Sequence, residues 1–326
     1  CIEQIRFVSS GSEATLYAMR IARAYRERDK VLKFEGGYHG MSDYSLMSLA
    51  PKTLSNFPQA IPDSPGIPKK VSEEVIVAPF NDTDMFKSIL NENHEQLGAV
   101  IVEPFQRLIP PTPGFLEVLR DMTVKYDIPL IFDEIVTGFR FAYGGAQEFY
   151  SVTPDLCSLG KIIGGGFPLA AVGGRKDLMQ LFNKDTVGDK HFLPQIGTLS
   201  GNPVASAAGL ATLEILKPKS AYETVFDTGR VLMGELEAAM KDYGHSAVIL
   251  GEPPLFDVFF TDNEISDYRG ILQADARKGT AFNKLLRSNQ VFKGDSKFYI
   301  SLAHNEDDVN LTVKAIREAA RALNDI

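Results

Sequence analysis

The stretch Leu130-Ile-Phe-Asp133-Glu134 constrains the fold more than any other part of the chain. An apolar run closed by acids reads as a buried parallel strand that carries a carboxylate to the carboxyl edge of its sheet, where α/β folds place their ligands. A second short run, Leu156 to Leu159, leads to Lys161 and on to Gly164-Gly165-Gly166. One acid and one amine are thus aimed into the same crevice, with glycines that let the backbone come close to a ligand.

That pair suits pyridoxal phosphate, whose pyridinium nitrogen needs an aspartate and whose Schiff base needs a lysine amine. The same acids at a strand end also occur in Walker-B-like nucleotide sites, and glycine triplets are often plain turns. The residues alone leave both readings open.

Around this stretch the chain alternates strands and helices. Ile5 to Val8 predicts a strand, and Ser9-Ser10-Gly11-Ser12-Glu13-Ala14 turns it into a helix with apolar Ala14, Tyr17, Ala18, Ile21 and Ala22 inside and Arg20, Arg23, Arg26 and Arg28 outside. A Ser-Gly-Ser turn at a helix start offers free N–H groups, hydroxyls and the positive end of the dipole, which makes a phosphate seat; a simple serine N-cap is the alternative. Val31 to Phe34 leads into Gly37-Tyr38-His39-Gly40, where Tyr38 can stack on a flat ligand or serve as a half-buried anchor. The proline-rich segment Ala50 to Val71 predicts a long irregular loop.

Further strands are expected at Val75 to Ala78, Ala99 to Glu103 and Ala170 to Gly173, with helices from Asp84 to Asn91, Pro113 to Tyr126 and, capped by Asn202, Pro203 to Leu216. This order implies a doubly wound, mainly parallel sheet over residues 1–218. Residues 219–326 read as a smaller α+β module, with helices from Tyr222 to Tyr243, Ala274 to Ser288 and Glu306 to Leu323. Its strands are expected at Ala247 to Leu250, Leu255 to Phe260 and Phe298 to Leu302.

The 326 residues are 44% hydrophobic, enough for a large core, and the net charge of −8 argues against a nucleic-acid groove or a polybasic membrane surface. Two cysteines, Cys1 and Cys157, cannot build a disulfide framework, and Cys157 lies in an apolar strand as a core residue. No apolar run approaches the roughly 18 residues of a membrane span, so a cytoplasmic enzyme is expected. The chain opens at Cys1 already entering a strand, which implies sequence upstream.

In order along the chain, Ser10-Gly-Ser-Glu-Ala14, Gly37-Tyr-His-Gly40, Val102-Glu-Pro104, Phe132-Asp-Glu134, Thr137-Gly-Phe-Arg140, Ala142-Tyr-Gly-Gly-Ala-Gln147 and Gly160-Lys-Ile-Ile-Gly-Gly-Gly166 resemble the motifs of class-III aminotransferases. Gly197-Thr-Leu-Ser-Gly-Asn-Pro203 and Ser301-Leu-Ala-His304 are most similar to the glutamate-1-semialdehyde 2,1-aminomutase subgroup. The resemblance implies a fold-type-I pyridoxal-phosphate enzyme in which Lys161 holds the cofactor as an internal aldimine and then serves as base. Asp133 would pair with the pyridinium nitrogen, Gly11 and Ser12 would grip the phosphate, and Thr198 would help from the partner subunit of a homodimer with shared sites. Tyr38 and Ile135 would sandwich the ring, Gln106 would reach its phenolic oxygen, and Glu103 and His39 would form a polar shell around Asp133.

Two segments depart from the aminomutase pattern. The loop after Glu103-Pro104 is short and bulky, and Met41-Ser-Asp-Tyr-Ser-Leu-Met47 with the prolines that follow replaces a small-residue gating loop. The expectation is therefore an aminotransferase, passing an amino group between a small-molecule donor and a keto or aldehyde acceptor through a pyridoxamine form. The aminomutase is the alternative, and a non-catalytic α/β nucleotide-binding protein is a third.

Overall fold

The apolar runs pair into one seven-stranded sheet. Its strands are β1 (Gln4–Val8), β2 (Lys30–Phe34), β3 (Val75–Ala78), β4 (Leu97–Val102), β5 (Leu130–Glu134), β6 (Leu156–Leu159) and β7 (Ala170–Gly174), in the order β1-β7-β6-β5-β4-β2-β3. This is the computed structural model of residues 1–325. Strands β3, β2, β4, β5 and β6 run parallel, and β3 to β6 are buried along their whole length, as expected when helical crossovers cover both faces. β7 departs from that direction and pairs antiparallel with both β6 and β1. The physical reason is length: the segment 160–169 holds only a short 3-10 turn, and a parallel return needs a crossover of about a dozen residues or more.

The helix Gly11–Arg26 begins with a capping box, in which Ser10 Oγ accepts from Glu13 N–H and the Glu13 carboxylate accepts from the Ser9 and Ser10 N–H groups. It lays the small side chains Ala18 and Ala22, with Ile21, on Ile101, Ile131 and Val172 of the sheet. The expected outer basic face is not uniform. Arg23 turns inward, its guanidinium carbon 3.9 Å from the centre of the Tyr44 ring, because the segment after β2 folds back over the helix. The helices Thr83–Asn93 and Phe115–Lys125 bring Phe86 and Phe115 onto Phe34 of β2, with ring centres 5.8 and 5.5 Å away. Each such ring removed from water contributes about 1.5–3 kcal/mol. The segment 50–68 is irregular, tied down by isolated bridges Met47–Pro62 and Gln59–Ile76 and continued by a 3-10 turn at Lys69–Glu74.

Two units divide the chain: Cys1–Arg107 with Pro111–Lys217, and Leu108–Pro110 with the residues from Pro218 onward. The second carries an antiparallel sheet of β8 (Val248–Glu252), β9 (Leu255–Phe259) and β10 (Phe298–Tyr299) in the order β10-β9-β8. The helices Lys219–Asp242, Ala276–Ser288 and Glu306–Ala322 close its core around Leu236, Phe256, Phe282 and Ile316. β10 is shorter than the apolar run to Leu302. At Ser301 the chain turns, with its N–H donating to His304 Nδ1, so that Asn305 can cap the last helix. Among the described residues no helix is long and apolar enough to cross a membrane.

Candidate active site

Four segments meet at the carboxyl ends of the parallel strands: the end of β5, the turn after β6, the start of the helix Gly11–Arg26 and the loop after β2. Between them lies a cavity of about 180 Å³. Larger hollows of about 460 and 540 Å³ lie in the second unit, where Lys293 binds Asp257 at 2.7 Å and Arg287 binds Asp295. The smaller cavity sets the acid Asp133 against the amine of Lys161 at the carboxyl edge of the sheet.

Asp133 supplies the acid, and its burial requires donors. Ser158 Oγ donates to Oδ1 at 3.1 Å, the Ile135 N–H donates to the same oxygen at 3.2 Å, and His39 Nδ1 lies 2.8 Å from Oδ2. Thr15 Oγ1 fixes the histidine loop by donating to His39 O at 2.6 Å. Lys161 faces this acid from the first position of the 3-10 turn, with φ of 46°, a left-handed backbone that a non-glycine residue adopts at a cost. Burial pushes its amine below the usual lysine range, Arg140 adds to that, and Asp133 and Glu103 pull it back. The net direction is toward an amine that gives up its proton more readily than a free lysine.

The remaining walls follow from the same elements. Gly11 and Ser12 border the cavity with N–H groups that a helix leaves without intrahelical partners. Ser10 is the cap, so the cap and the anion seat are different residues of one turn. Ile135 lines the cavity and sits against Gly11, where an added Cβ would come within 3.0 Å of its Cδ1. Tyr38 is 45% exposed on the other side, and Glu103 accepts from its N–H at 2.8 Å. Such a cavity can hold a flat, phosphorylated heteroaromatic ring: an anion at the helix start, a basic ring nitrogen at Asp133 and a carbonyl at Lys161.

One residue expected at the ring lies outside the lining of the cavity, and the residue expected to act from the partner subunit lies away from it in its own chain. Gln106 is 0% exposed and donates through Nε2 to Glu35 O at 2.7 Å, so its amide braces the loop after β2 from behind instead of lining the wall. Thr198 is exposed and lies outside the lining. Ser158, Thr15 and Val136 belong to the site without having been read from the sequence. Ser158 carried a signal: it is the one hydroxyl in an apolar strand, and parallel pairing sets it directly beside Asp133. Cys157 is buried, its thiol pushed up to about 12 by desolvation. Among the described residues no cluster of three His, Cys, Asp or Glu side chains could hold a metal ion.

The family model "Aminotransferase class-III" matches residues 1–285. The glutamate-1-semialdehyde 2,1-aminomutase of Thermodesulfovibrio yellowstonii is 43% identical over 320 residues, spanning 96% of this chain and 73% of that one. The enzyme of the same name from Pelotomaculum thermopropionicum is 41% identical over 327 residues, spanning 98% and 74%. Among solved structures, an omega-transaminase from Sphaerobacter thermophilus superposes with a TM-score of 0.92 at 32% identity, covering 99% of this chain and 75% of that one.

One glycine tests the geometry. Gly40 has φ of +89°, and a Cβ there would lie 2.7 Å from Ser12 Cα. Gly66 has the same φ with nothing within 4 Å. Gly40→Ala should therefore cost about 1–3 kcal/mol in urea unfolding, and clearly more than Gly66→Ala, which meets backbone strain alone. Equal losses would show that the loop and the helix start do not press together as described.

Proposed function

The chain belongs to the class-III aminotransferase family, and from that premise we propose that it moves an amino group from a donor to a separate keto or aldehyde acceptor in two half-reactions. The enzyme depends on pyridoxal 5'-phosphate. When bound, that group supplies a carbonyl for imine exchange with amines and a ring that accepts electrons from the substrate carbon.

Lys161 Nζ would hold the cofactor's carbonyl carbon and, once a substrate amine has displaced it, carry the proton removed from the substrate carbon. Asp133, oriented by Ser158, Ile135 N–H and His39, would keep a proton on the ring nitrogen. Gly11 N–H, Ser12 N–H and the Ser12 hydroxyl would take the phosphate at the positive end of their helix. Tyr38 would stack on one face of the ring, and Ile135 would pack on the other. Glu103 would hold the tyrosine loop through its bond to Tyr38 N–H. Gln106 would act at one remove, by fixing Glu35.

The observation that carries the intermolecular reading is the packing of the segment after His39. Met47 is 0% exposed among Ala60, Val75 and Val77, it bridges to Pro62, and Tyr44 lies under the Arg23 guanidinium. An aminomutase has to retain its intermediate behind a closing lid, whereas a transaminase releases its first product before the second substrate enters. Side chains so committed to the core suit a fixed wall. The second reading, an aminomutase that returns the nitrogen to the same molecule, is favoured by the 43% and 41% identity of relatives that bear that name.

We further propose a homodimer in which Thr198 faces the partner's phosphate site. The surface around it supports this: Ile196 is 90% exposed and Leu199 61%. The helix Pro203–Leu216 is mostly apolar, with Ser206, Thr212 and Glu214 its polar residues, yet Val204, Leu210 and Ile215 stay exposed. Helices of that composition are normally covered.

Lys161→Ala should abolish turnover and still bind the cofactor non-covalently, since the phosphate and ring contacts remain. Borohydride reduction that fixes cofactor to this variant would give the role to another lysine. Sedimentation should find a dimer whose cofactor occupancy falls on dissociation; an active, fully loaded monomer would remove Thr198 from the site. Incubated with glutamate-1-semialdehyde alone, the enzyme should form little 5-aminolevulinate. Efficient formation without an added acceptor would make the second reading the right one.

A further inference from the structure

Lys33 has no part in the chemistry above, yet it sits in β2 with 1% of its surface exposed. Its Nζ donates to three backbone carbonyls, Gly37 O at 3.0 Å, Ser45 O at 2.9 Å and Met47 O at 2.5 Å. Three acceptors around one nitrogen match the three N–H bonds of an ammonium, since a neutral amine has only two. Burial pulls its pKa down to about 7, against the pull of Glu103 and Asp63, and Arg107 lowers it further. The carbonyl cradle favours the charged form.

The same loop is held a second time from the chain that leaves β4. Arg107 donates through Nε to Gly36 O and through Nη2 to Leu49 O at 2.6 Å. It does so from a left-handed backbone, φ 50°, followed by Leu108 at φ 74°. Non-glycine residues keep such angles only where their surroundings impose them. The carbonyls of residues 35, 36 and 37 therefore end on Gln106, Arg107 and Lys33 in turn, and the N–H of residue 38 ends on Glu103. Irregular segments usually leave such groups to water. Here one amide and three charged side chains hold them, immediately before the aromatic ring of the cavity and the histidine bound to Asp133.

We propose that Lys33 and Arg107 are positioning residues, which clamp the segment 36–49 by its carbonyls and so fix Tyr38 in the wall of the site and His39 on the buried carboxylate of Asp133. The inference rests on the reading of Tyr38 and His39 as residues that serve the cofactor. Neither clamp touches the reacting atoms; both act through the backbone they hold.

The test compares wild-type holoenzyme with Lys33→Met and Arg107→Met by amide hydrogen exchange, titration with pyridoxal phosphate and visible circular dichroism of the bound cofactor. The peptide 36–48 should lose protection while β4 and β5 keep theirs. Cofactor affinity should fall by roughly tenfold, the scale of one lost hydrogen bond to a charged group. The dichroic band should shrink as the ring loses its fixed neighbour, and Arg107→Lys, which keeps the charge and one contact, should recover part of each effect. A folded variant with wild-type protection, affinity and dichroism overturns the proposal; if Lys33→Met does not fold, Arg107→Met decides it by the same readouts. Borohydride labelling separates the two failures. A wild-type enzyme that is not labelled at Lys161 defeats the cofactor reading, whereas a labelled one with unperturbed variants defeats only the clamp.

Discussion

The buried carboxylate of Asp133 is the constraint on which the first unit depends. An ionised acid in the interior is tolerated only when donors surround it, and removing one partner from such a group costs several kcal/mol. Its donors come from three places: Ser158 on β6, the Ile135 N–H just beyond β5, and His39 on the loop after β2. Each requires a feature of the fold. Ser158 needs parallel pairing of β5 and β6 in one register, since a slip of one residue would turn its hydroxyl to the other face. His39 needs the loop after β2 to cross toward β5, which Thr15 secures from the helix Gly11–Arg26. One acid thus ties a sheet register, a helix start and a loop together, and Lys161 is delivered by the same strand that carries Ser158.

Glu134, the next residue, shows how a strand divides its work between two faces. Successive side chains point to opposite sides of a sheet, so the second acid turns away from the cavity. Burial pushes its carboxyl above the usual range, while bonds from Ala146 N–H, Thr137 Oγ1 and the Gln147 side chain and N–H pull it back. Those donors all lie in the turn and short helix that follow β5. Glu134 therefore fixes the segment that presents Ile135 and Val136 to the cavity, while Asp133 forms the cavity floor. The Asp-Glu pair is one structural device with two outputs.

How legible the site was depended on whether a residue's role is local in sequence. Asp133, Lys161, Gly11 and Ser12 stand at strand and helix ends, and the alternation that places them is written in the apolar pattern. The direction of β7 was hidden, because it depends on the length of the connection more than on the strand's own residues. Gln106 has the same chemistry whether it lines a wall or braces one from behind, and only packing against Glu35 decides. Lys33 was the least legible. A lysine within an apolar strand looks like an edge residue, and its three acceptors come from up to 14 positions further along a loop without periodicity. Arg23 misled for the opposite reason: it follows the helical spacing of an exposed face, but a distant loop covers it with Tyr44.

Identity to the aminomutases and commitment to their reaction are separable quantities in this chain. The residues that would bind the cofactor occupy strand ends, a helix start and tight turns, where sterics and hydrogen bonding leave little freedom, and they lie within the stretch that the family model matches. What distinguishes returning a nitrogen to its own carbon skeleton from handing it to another molecule is the mobility of the wall over the site. That wall is the segment 36–49, where Lys33, Arg107 and the burial of Met47 oppose movement with charge-assisted bonds to carbonyls and with apolar packing. Moving it would break the three carbonyl contacts of Lys33, and hydrogen bonds to a charged group contribute about 1.5–3 kcal/mol each. The same core can therefore serve either reaction, and the segment 36–49 is the place where the proposed intermolecular transfer and its alternative make different demands on the chain.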